Sequence, residues 1–231
     1  MKRIHQFWNL LITYKFLILL LALLMQLVLP VFFIHPEEKR VVSYFCISFT
    51  IMSSILVFNN VRRPRIFMVI SIMVVLALLF NWIDYFDSVF FSVKLPRLIL
   101  AFLIYLTMFT NIFREFNRRD EVTLDFIFGA ISGYLILGFI GAVVSAIIEH
   151  FYPGSFTVGR HSFQGFQEYI YFNFVTLTTL GYGDVIPHTE QGQIHAVVMA
   201  IAGQLYLTIT IAMIIGQYLM HSKDRTRKNR K

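Results

Sequence analysis

Long apolar segments alternate with short polar ones along the chain. A helix needs roughly 17 to 25 apolar residues to cross about 30 Å of hydrocarbon, and six segments reach that length. They run over Phe16–Ile34, Val41–Phe58, Ile66–Ile83, Leu95–Phe113, Phe126–Ile148 and Ile194–Leu219. The pattern predicts an all-α membrane protein with six transmembrane helices.

The composition excludes an ordinary soluble protein. Hydrophobic residues make up 57% of the 231 positions and charged residues only 14%, far from the average of soluble domains. The single cysteine, Cys46, excludes an intramolecular disulfide and a cysteine-based metal site. Pro30, Phe32 and Phe33 stand where a signal peptide would have a small-residue cleavage site, so the first segment is predicted to be a retained helix.

Lysine and arginine residues are distributed unevenly between the two sides of a six-span topology. Fifteen of the 20 fall on the side that carries both termini, and five fall on the other side. The smaller group consists of Lys39, Arg40, Lys94, Arg97 and Arg160. Because cytoplasmic loops are enriched in basic residues, we predict a multi-pass plasma membrane protein with N- and C-termini in the cytoplasm. The absence of an N-x-S/T sequon fits a prokaryotic membrane.

The segment between the last two spans has a different character. Gly165–Pro187 reads GFQEYIYFNFVTLTTLGYGDVIP, and its apolar first part is about 13 residues long, too short to cross. A short apolar helix that returns to its own side is a re-entrant loop, which is tolerated at membrane depth only where it is buried in protein or lines water. The alternative, a glycine-rich extracellular turn, leaves the apolar helix unexplained.

The nine residues Thr176–Asp184, TLTTLGYGD, closely resemble the signature sequence of potassium channels, with Leu180 where valine is usual. The resemblance implies a selectivity filter in which backbone carbonyls replace the water shell of a dehydrated potassium ion, the permeant ligand, and no other cofactor is expected. Glycine permits the backbone angles that this arrangement needs. The implied ion-binding residues are Thr179, Leu180, Gly181, Tyr182 and Gly183.

Many relatives carry a Trp-Trp pair in the pore helix, where this chain has Tyr171 and Phe172. Tyr171 retains a hydroxyl group, so a hydrogen bond to Asp184 of the kind that the first Trp makes remains possible. Phe172 has no polar hydrogen, so the Tyr182 hydroxyl needs another partner, for which Thr176 is a candidate. All of these residues are expected to support the filter.

Thr178 and Val175 complete the expected support of the filter. Val175 stands where some prokaryotic relatives have a buried glutamate, so a carboxyl pair with Asp184 is absent. We therefore expect filter inactivation to differ from that of those relatives. Asp184 also has a simpler interpretation, as a solvated loop acid.

One chain supplies one filter strand, whereas a ring of carbonyls around an axis needs four, so the resemblance implies a four-fold symmetric homotetramer. The pore domain is predicted at 120–221, with an outer helix, the pore helix, the filter and an inner helix. Gly203 and Gly216 in the inner helix are candidate gating hinges, and Gly203 matches the family's hinge glycine better. Small residues also let helices pack closely in lipid, so both interpretations stay open.

Residues 1–119 are predicted to form a four-helix transmembrane domain that resembles a voltage-sensor domain without gating charges. The fourth segment has Arg97 at its start and Arg114 just past its end, with no arginine between them. Steep voltage dependence needs several charges per subunit, so we expect weak or no voltage dependence and interpret Arg97 as an interface anchor or snorkelling residue. Asn59, Asn60, Asn81 and Asn111 are interpreted as polar caps, with interhelical hydrogen bonds as the alternative.

The remaining residues, 222–231, form a basic cytoplasmic tail, after which we expect no fused ligand-binding domain. The tail is suited to anionic lipid head groups, although an ordinary positive-inside stop is the favoured explanation. The net charge of +7 lies largely at the ends of spans and requires no nucleic acid partner. The seven histidines, among them His195, lie near span ends or in loops and show no metal-ligand spacing.

The sequence thus predicts a potassium-selective channel that conducts passively through a TLGYG filter. An enzyme is not expected, because the chain has no glycine-rich phosphate loop, no HExxH motif and no nucleophile with a placed base. Two alternatives remain, a non-conducting modulatory channel subunit and an ion-transporter subunit. The intact filter argues against the first, and the single copy of the motif disfavours the second.

Overall fold

A computed structural model describes residues 11–58, 64–86, 94–116, 123–158, 161–162 and 165–228. Within these ranges, six helices are long and apolar enough to cross a membrane, as predicted. The helices are α1 (Lys15–Val28), α2 (Pro36–Phe58), α3 (Pro64–Phe86), α4 (Lys94–Phe116), α5 (Leu124–Phe151), α6 (Phe166–Leu177) and α7 (Glu190–Lys228). The all-α, six-span architecture is therefore confirmed, and α6 is the short helix expected between the last two spans.

Local sequence signals explain several helix boundaries. Proline at the first helical position suits the starts of α2 and α3 at Pro36 and Pro64. Pro30 lies where α1 passes into a 3-10 helix over Leu29–Phe32. Thr123 caps α5, since its side chain accepts a hydrogen bond from the backbone N–H of Phe126 at 3.2 Å.

Helices α1 to α4, here called the front helices, share one hydrophobic core with α5, α6 and α7. The rings of Phe116 on α4 and Phe126 on α5 stack with centroids 4.2 Å apart. Gly129 lets α5 approach the ring of Phe16 on α1, since a Cβ atom there would lie 3.3 Å from that ring. The two predicted domains, 1–119 and 120–221, therefore pack against each other through a shared core.

A small antiparallel sheet accompanies the helices and was not predicted. It consists of β1 (Phe156–Val158), β2 (His161–Ser162) and β3 (Val185–Pro187) in the order β2-β1-β3. The carboxylate of Glu149, near the end of α5, accepts hydrogen bonds from the backbone N–H groups of Gly154 and Phe156 at 2.7 and 3.1 Å. The sheet ties the loop after α5 to the segment that follows the GYG sequence.

Polar side chains join the front helices to one another. Asn81 on α3 donates to the Tyr44 carbonyl and the Ser48 hydroxyl at 3.2 and 3.1 Å, and Asn111 on α4 donates to the Val57 carbonyl at 2.8 Å. Asn81 and Asn111 therefore form interhelical hydrogen bonds, which was the alternative to their interpretation as polar caps. The other two asparagines, Asn59 and Asn60, lie outside the described residues, as do Lys2, Arg3, Arg160 and 229–231.

Candidate functional site

The backbone after α6 alternates between two conformations. The φ angles of Thr179, Gly181 and Gly183 are 58°, 58° and 77°, whereas those of the intervening Leu180 and Tyr182 are not positive. Among the described residues, Thr179 is the only non-glycine residue with positive φ, a strained state that the surrounding structure must impose. Alternation of left- and right-handed residues turns successive amide N–H groups to one side of a strand and so leaves the carbonyls to the other.

Hydrogen bonds fix which side the amides face. The N–H groups of Leu180 and Gly181 both donate to the carbonyl of Val175 in α6, at 3.0 and 3.3 Å, and the N–H of Thr179 donates to the carbonyl of Thr176 at 3.0 Å. In the described part of the chain, no protein donor contacts the carbonyl oxygens of residues 179–182. The segment therefore presents a row of free backbone acceptors on the side away from α6.

Tyr171 and Asp184 join α6 to the end of this segment. The Tyr171 hydroxyl donates to the Asp184 carboxylate at 2.6 Å, and the other oxygen of Asp184 accepts the backbone N–H of Val185 at 3.1 Å. The hydrogen bond to the carboxylate raises the pKa of Tyr171 to about 12. Tyr171 thus makes the bond that the sequence had left possible, and Asp184 is engaged rather than only solvated.

Phe172 and Thr176 lie behind the same segment. Phe172 is buried against Phe156 of β1, with ring centroids 5.1 Å apart, so its role is packing. The Thr176 hydroxyl donates to the Phe172 carbonyl at 2.8 Å. Within the described part of a single chain, the Tyr182 hydroxyl has no hydrogen-bond partner, and its side chain is 66% exposed. The chain alone therefore does not form the bond between Tyr182 and Thr176 that we had considered.

A buried polar network joins α5, α6 and α7, and the sequence did not reveal it. Asn173 on α6 is fully buried and donates to the Ser145 hydroxyl on α5 and to the Tyr169 carbonyl, both at 2.8 Å. The ring of His195 on α7 contacts the same amide group. Asn173, a polar residue inside the apolar run of α6, was the signal that could have indicated this network, because such groups are buried only when they are paired.

The two glycines proposed as hinges have different surroundings. A Cβ atom on Gly203 would lie 2.2 Å from the carbonyl oxygen of Leu177, the last residue of α6, whereas one on Gly216 would meet nothing within 4 Å. The α7 helix is continuous through both positions. Gly203 therefore provides close packing against the end of the pore helix in this conformation.

Two ion pairs join described residues of the front helices. Arg97 at the start of α4 lies 3.3 Å from Asp84 of α3, with its guanidinium 5.5 Å from the centre of the Tyr44 ring. Arg97 is an interhelical partner, and its interpretation as an interface anchor or snorkelling residue stays a prediction. Lys15 and Glu115 form a second pair at 2.6 Å between α1 and α4, and both residues are buried. Only burial in the folded chain distinguishes Lys15 from the other basic residues at span ends.

Comparison with known proteins gives one matching protein family and several distant relatives. Residues 129–220 match the model of a family described as "Ion channel". Over 100 residues the chain is 27% identical to the potassium voltage-gated channel protein Shal of Drosophila melanogaster, and 26% identical to the A-type voltage-gated potassium channel KCND3 of Rattus norvegicus and of Homo sapiens.

These alignments cover 42% of this chain, but only 17% of Shal and 15% of KCND3. The chain therefore spans less than a fifth of the length of the curated relatives that it matches. No solved structure gives a significant match.

Proposed function

We infer that the chain, a member of the potassium channel superfamily, forms a potassium-selective pore. Potassium ions would pass down their electrochemical gradient through an opening lined by residues 179–183. The filter residues would be Thr179, Leu180, Gly181, Tyr182 and Gly183. The protein would be a multi-pass protein of the plasma membrane with both termini in the cytoplasm.

The row of free carbonyl oxygens is the observation that carries this proposal. The amides of Leu180 and Gly181 are held by the Val175 carbonyl, so the carbonyls of residues 179–182 face away from α6 without a protein donor. At membrane depth such groups require a partner. These oxygens would coordinate a dehydrated potassium ion in place of its water shell.

Four chains around one axis would complete the site. In the single chain the side chains of Leu180 and Tyr182 are 55% and 66% exposed. The inner helix α7 also exposes a run of apolar residues at Val197, Val198, Ile201 and Leu205. A homotetramer would cover part of this surface and bring four carbonyl rows together, which is the usual closed symmetry of identical chains.

Weak or no voltage dependence follows from the charges of the front helices. Each charge that crosses the membrane contributes about 2.3 kcal/mol per 100 mV, so several are needed for steep opening. Within the described part of α4, the basic residues are Lys94, Arg97 and Arg114, all near its ends. The ion pair between Arg97 and Asp84 holds that arginine in place.

Bilayer recording of the purified protein tests the proposal. With potassium on one side and sodium on the other, we expect a reversal potential near the potassium equilibrium value and little change of open probability with voltage. Gly181→Ala should abolish this selectivity, because φ is 58° there and a side chain is strained. Gly154→Ala is the matched control, since Gly154 also has positive φ and open surroundings but lies outside the filter.

Two results would contradict the proposal. Full potassium selectivity in Gly181→Ala would mean that the backbone of residue 181 does not line the ion path. A folded tetramer that conducts no ions across a range of lipid compositions and membrane tensions would favour the modulatory-subunit alternative instead.

A further inference from the structure

A cavity of about 580 Å³ lies between the front helices and the beginning of the pore helix. Its walls come from the end of α1, the first turns of α2 and α4 and the N-terminus of α6. These ends lie on the outer side of the membrane in the proposed orientation. Residues that line it include Gln26, Lys39, Arg40, Arg97, Phe166 and Glu168.

The cavity carries more positive than negative charge. In the part of the chain that the structure describes, neither Lys39 nor Arg40 forms an ion pair. Arg40 donates to the backbone carbonyls of Asp84 and Tyr85, both at 3.2 Å, and its guanidinium lies over the rings of Tyr44 and Tyr85. Among the described residues, these contacts include no carboxylate that would neutralise its charge. Arg97 is neutralised by Asp84. Glu168 is the one acidic residue of the lining, and its carboxylate accepts the N–H of Gly165 at the start of α6.

Buried hydrogen-bond donors also line the cavity. Gln26 is only 1% exposed, its Oε1 accepts the Tyr105 hydroxyl at 3.0 Å, and its Nε2 has no partner among the described residues. The Nε of Arg97 is buried and unpaired as well. Because buried donors are normally satisfied, these two groups indicate an acceptor that enters from the cavity.

We propose that this cavity binds the phosphate head group of an anionic phospholipid from the outer leaflet. Lys39 and Arg40 supply the charge, and the Gln26 amide and the Arg97 Nε donate to phosphate oxygens. A lipid is favoured over free phosphate because Ile34, 91% exposed, and the partly buried Phe166 line the same cavity and provide apolar contact for the glycerol and acyl regions. The bound lipid would contact both the front helices and the pore helix.

A smaller pocket adjoins the cavity and is too small to hold the lipid. It measures about 30 Å³ and shares Gln26, Arg97 and Phe166 with the larger cavity. Asn81, whose Oδ1 is buried and unpaired, also lines it. This volume suits a water molecule, which would donate a hydrogen bond to the Asn81 Oδ1 atom.

Lipid binding to the purified full-length protein in detergent tests the proposal without reference to conduction. Short-chain phosphatidylglycerol is titrated by calorimetry, with short-chain phosphatidylcholine and inorganic phosphate in parallel. The double variant Lys39→Gln/Arg40→Gln should weaken phosphatidylglycerol binding by about fivefold for each basic residue. Gln26→Leu should weaken it through loss of one buried donor. Lys94→Gln, an exposed basic residue near the same membrane face but outside the lining, is the control and should bind as the wild type does.

Three results would overturn the proposal. If phosphatidylcholine bound as tightly as phosphatidylglycerol, the cavity would not select an anionic head group. Equal losses in Lys94→Gln and in the double variant would mean that the attraction is diffuse. Inorganic phosphate that binds as tightly as the lipid and displaces it would assign the cavity to a free anion. Circular dichroism of each variant checks that it is folded, and a variant with reduced helix content is replaced by the single substitution Lys39→Gln.

Discussion

The Nε2 atom of His195 in the inner helix lies 2.9 Å from the Oδ1 atom of Asn173 in the pore helix. Because the amide oxygen only accepts, His195 donates this bond from Nε2. Asn173 donates in turn to Ser145 of the outer helix, so one buried side chain joins three helices directly behind the proposed filter. The pore helix is therefore held to both of its neighbours by polar contacts as well as by apolar packing.

Replacement of Asn173 by leucine should destabilise the protein and disturb ion selection. The change leaves Ser145 and His195 without their partner, and each buried polar group left unpaired costs about 1–3 kcal/mol. We expect a lower melting temperature in detergent together with reduced potassium-over-sodium selectivity. Thermal unfolding by circular dichroism and bilayer recording measure the two effects.

Asn111→Leu is the matched control for Asn173→Leu. Asn111 also makes an interhelical hydrogen bond, to the Val57 carbonyl, but lies in the front helices. Asn111→Leu should lower the melting temperature and leave potassium-over-sodium selectivity unchanged. A similar loss of selectivity in both variants would mean that Asn173 acts only through general stability.

Gly203→Ala should be more damaging than Gly216→Ala. A Cβ atom at residue 203 would collide with the Leu177 carbonyl, and overpacking of this kind costs about 1–3 kcal/mol. At residue 216 the space is open, so alanine should be neutral or stabilise the helix by about 0.5–1 kcal/mol. Melting temperatures of the two variants measure the difference. Equal stability would mean that α7 shifts easily away from Leu177, as a hinge at Gly203 would allow.

Tyr171→Phe should loosen the segment after the proposed filter. The substitution removes the hydrogen bond to Asp184, whose other oxygen holds the Val185 amide, so hydrogen exchange at Val185 should become faster. Tyr152→Phe, an exposed tyrosine near the end of α5, is the control and should leave that rate unchanged.

The bond between Tyr171 and Asp184 should also resist alkaline pH. Tyrosine has an unperturbed pKa of about 10, and that of Tyr171 is raised to about 12. Since the folded-state pKa is raised, the stabilisation from this bond is fully present below about pH 10 and is lost as the pH rises through about 12. The difference in tyrosinate absorbance between the wild type and Tyr171→Phe measures this titration. A titration centred near pH 10 would contradict it.

Lys15→Met should be strongly destabilising, since it leaves the buried Glu115 carboxylate without its ion-pair partner. Removal of one member of a buried pair costs about 3–5 kcal/mol. The double variant Lys15→Met/Glu115→Leu should recover part of this loss, because neither charge remains. Unfolding free energies of the two single variants and the double variant give the coupling energy. Strictly additive effects would show that the two side chains do not interact.

The spans and the short helix before Thr178 could be predicted from the sequence because the thickness of the membrane fixes their lengths locally. Hydrocarbon thickness fixes the length of an apolar segment, and the chain shows that length six times. The segment before Thr178 is too short to cross, and it forms α6, a helix of 12 residues. Special backbone angles were likewise expected at Gly181 and Gly183, because glycine permits them, and both residues have positive φ. The positive φ of Thr179 was not predicted.

The partners of buried polar groups could not be predicted in this way. Lys15 and Glu115 are 100 residues apart, and nothing in either segment distinguishes them from other charged residues at span ends. The same holds for Asn173 and His195, which are paired only because α7 returns beside α6. The sequence by itself determined which segments are long and apolar enough to span a membrane and where the TLGYG motif lies. Tertiary structure decided which polar groups are buried and paired, because their cost is offset only by a partner from another helix.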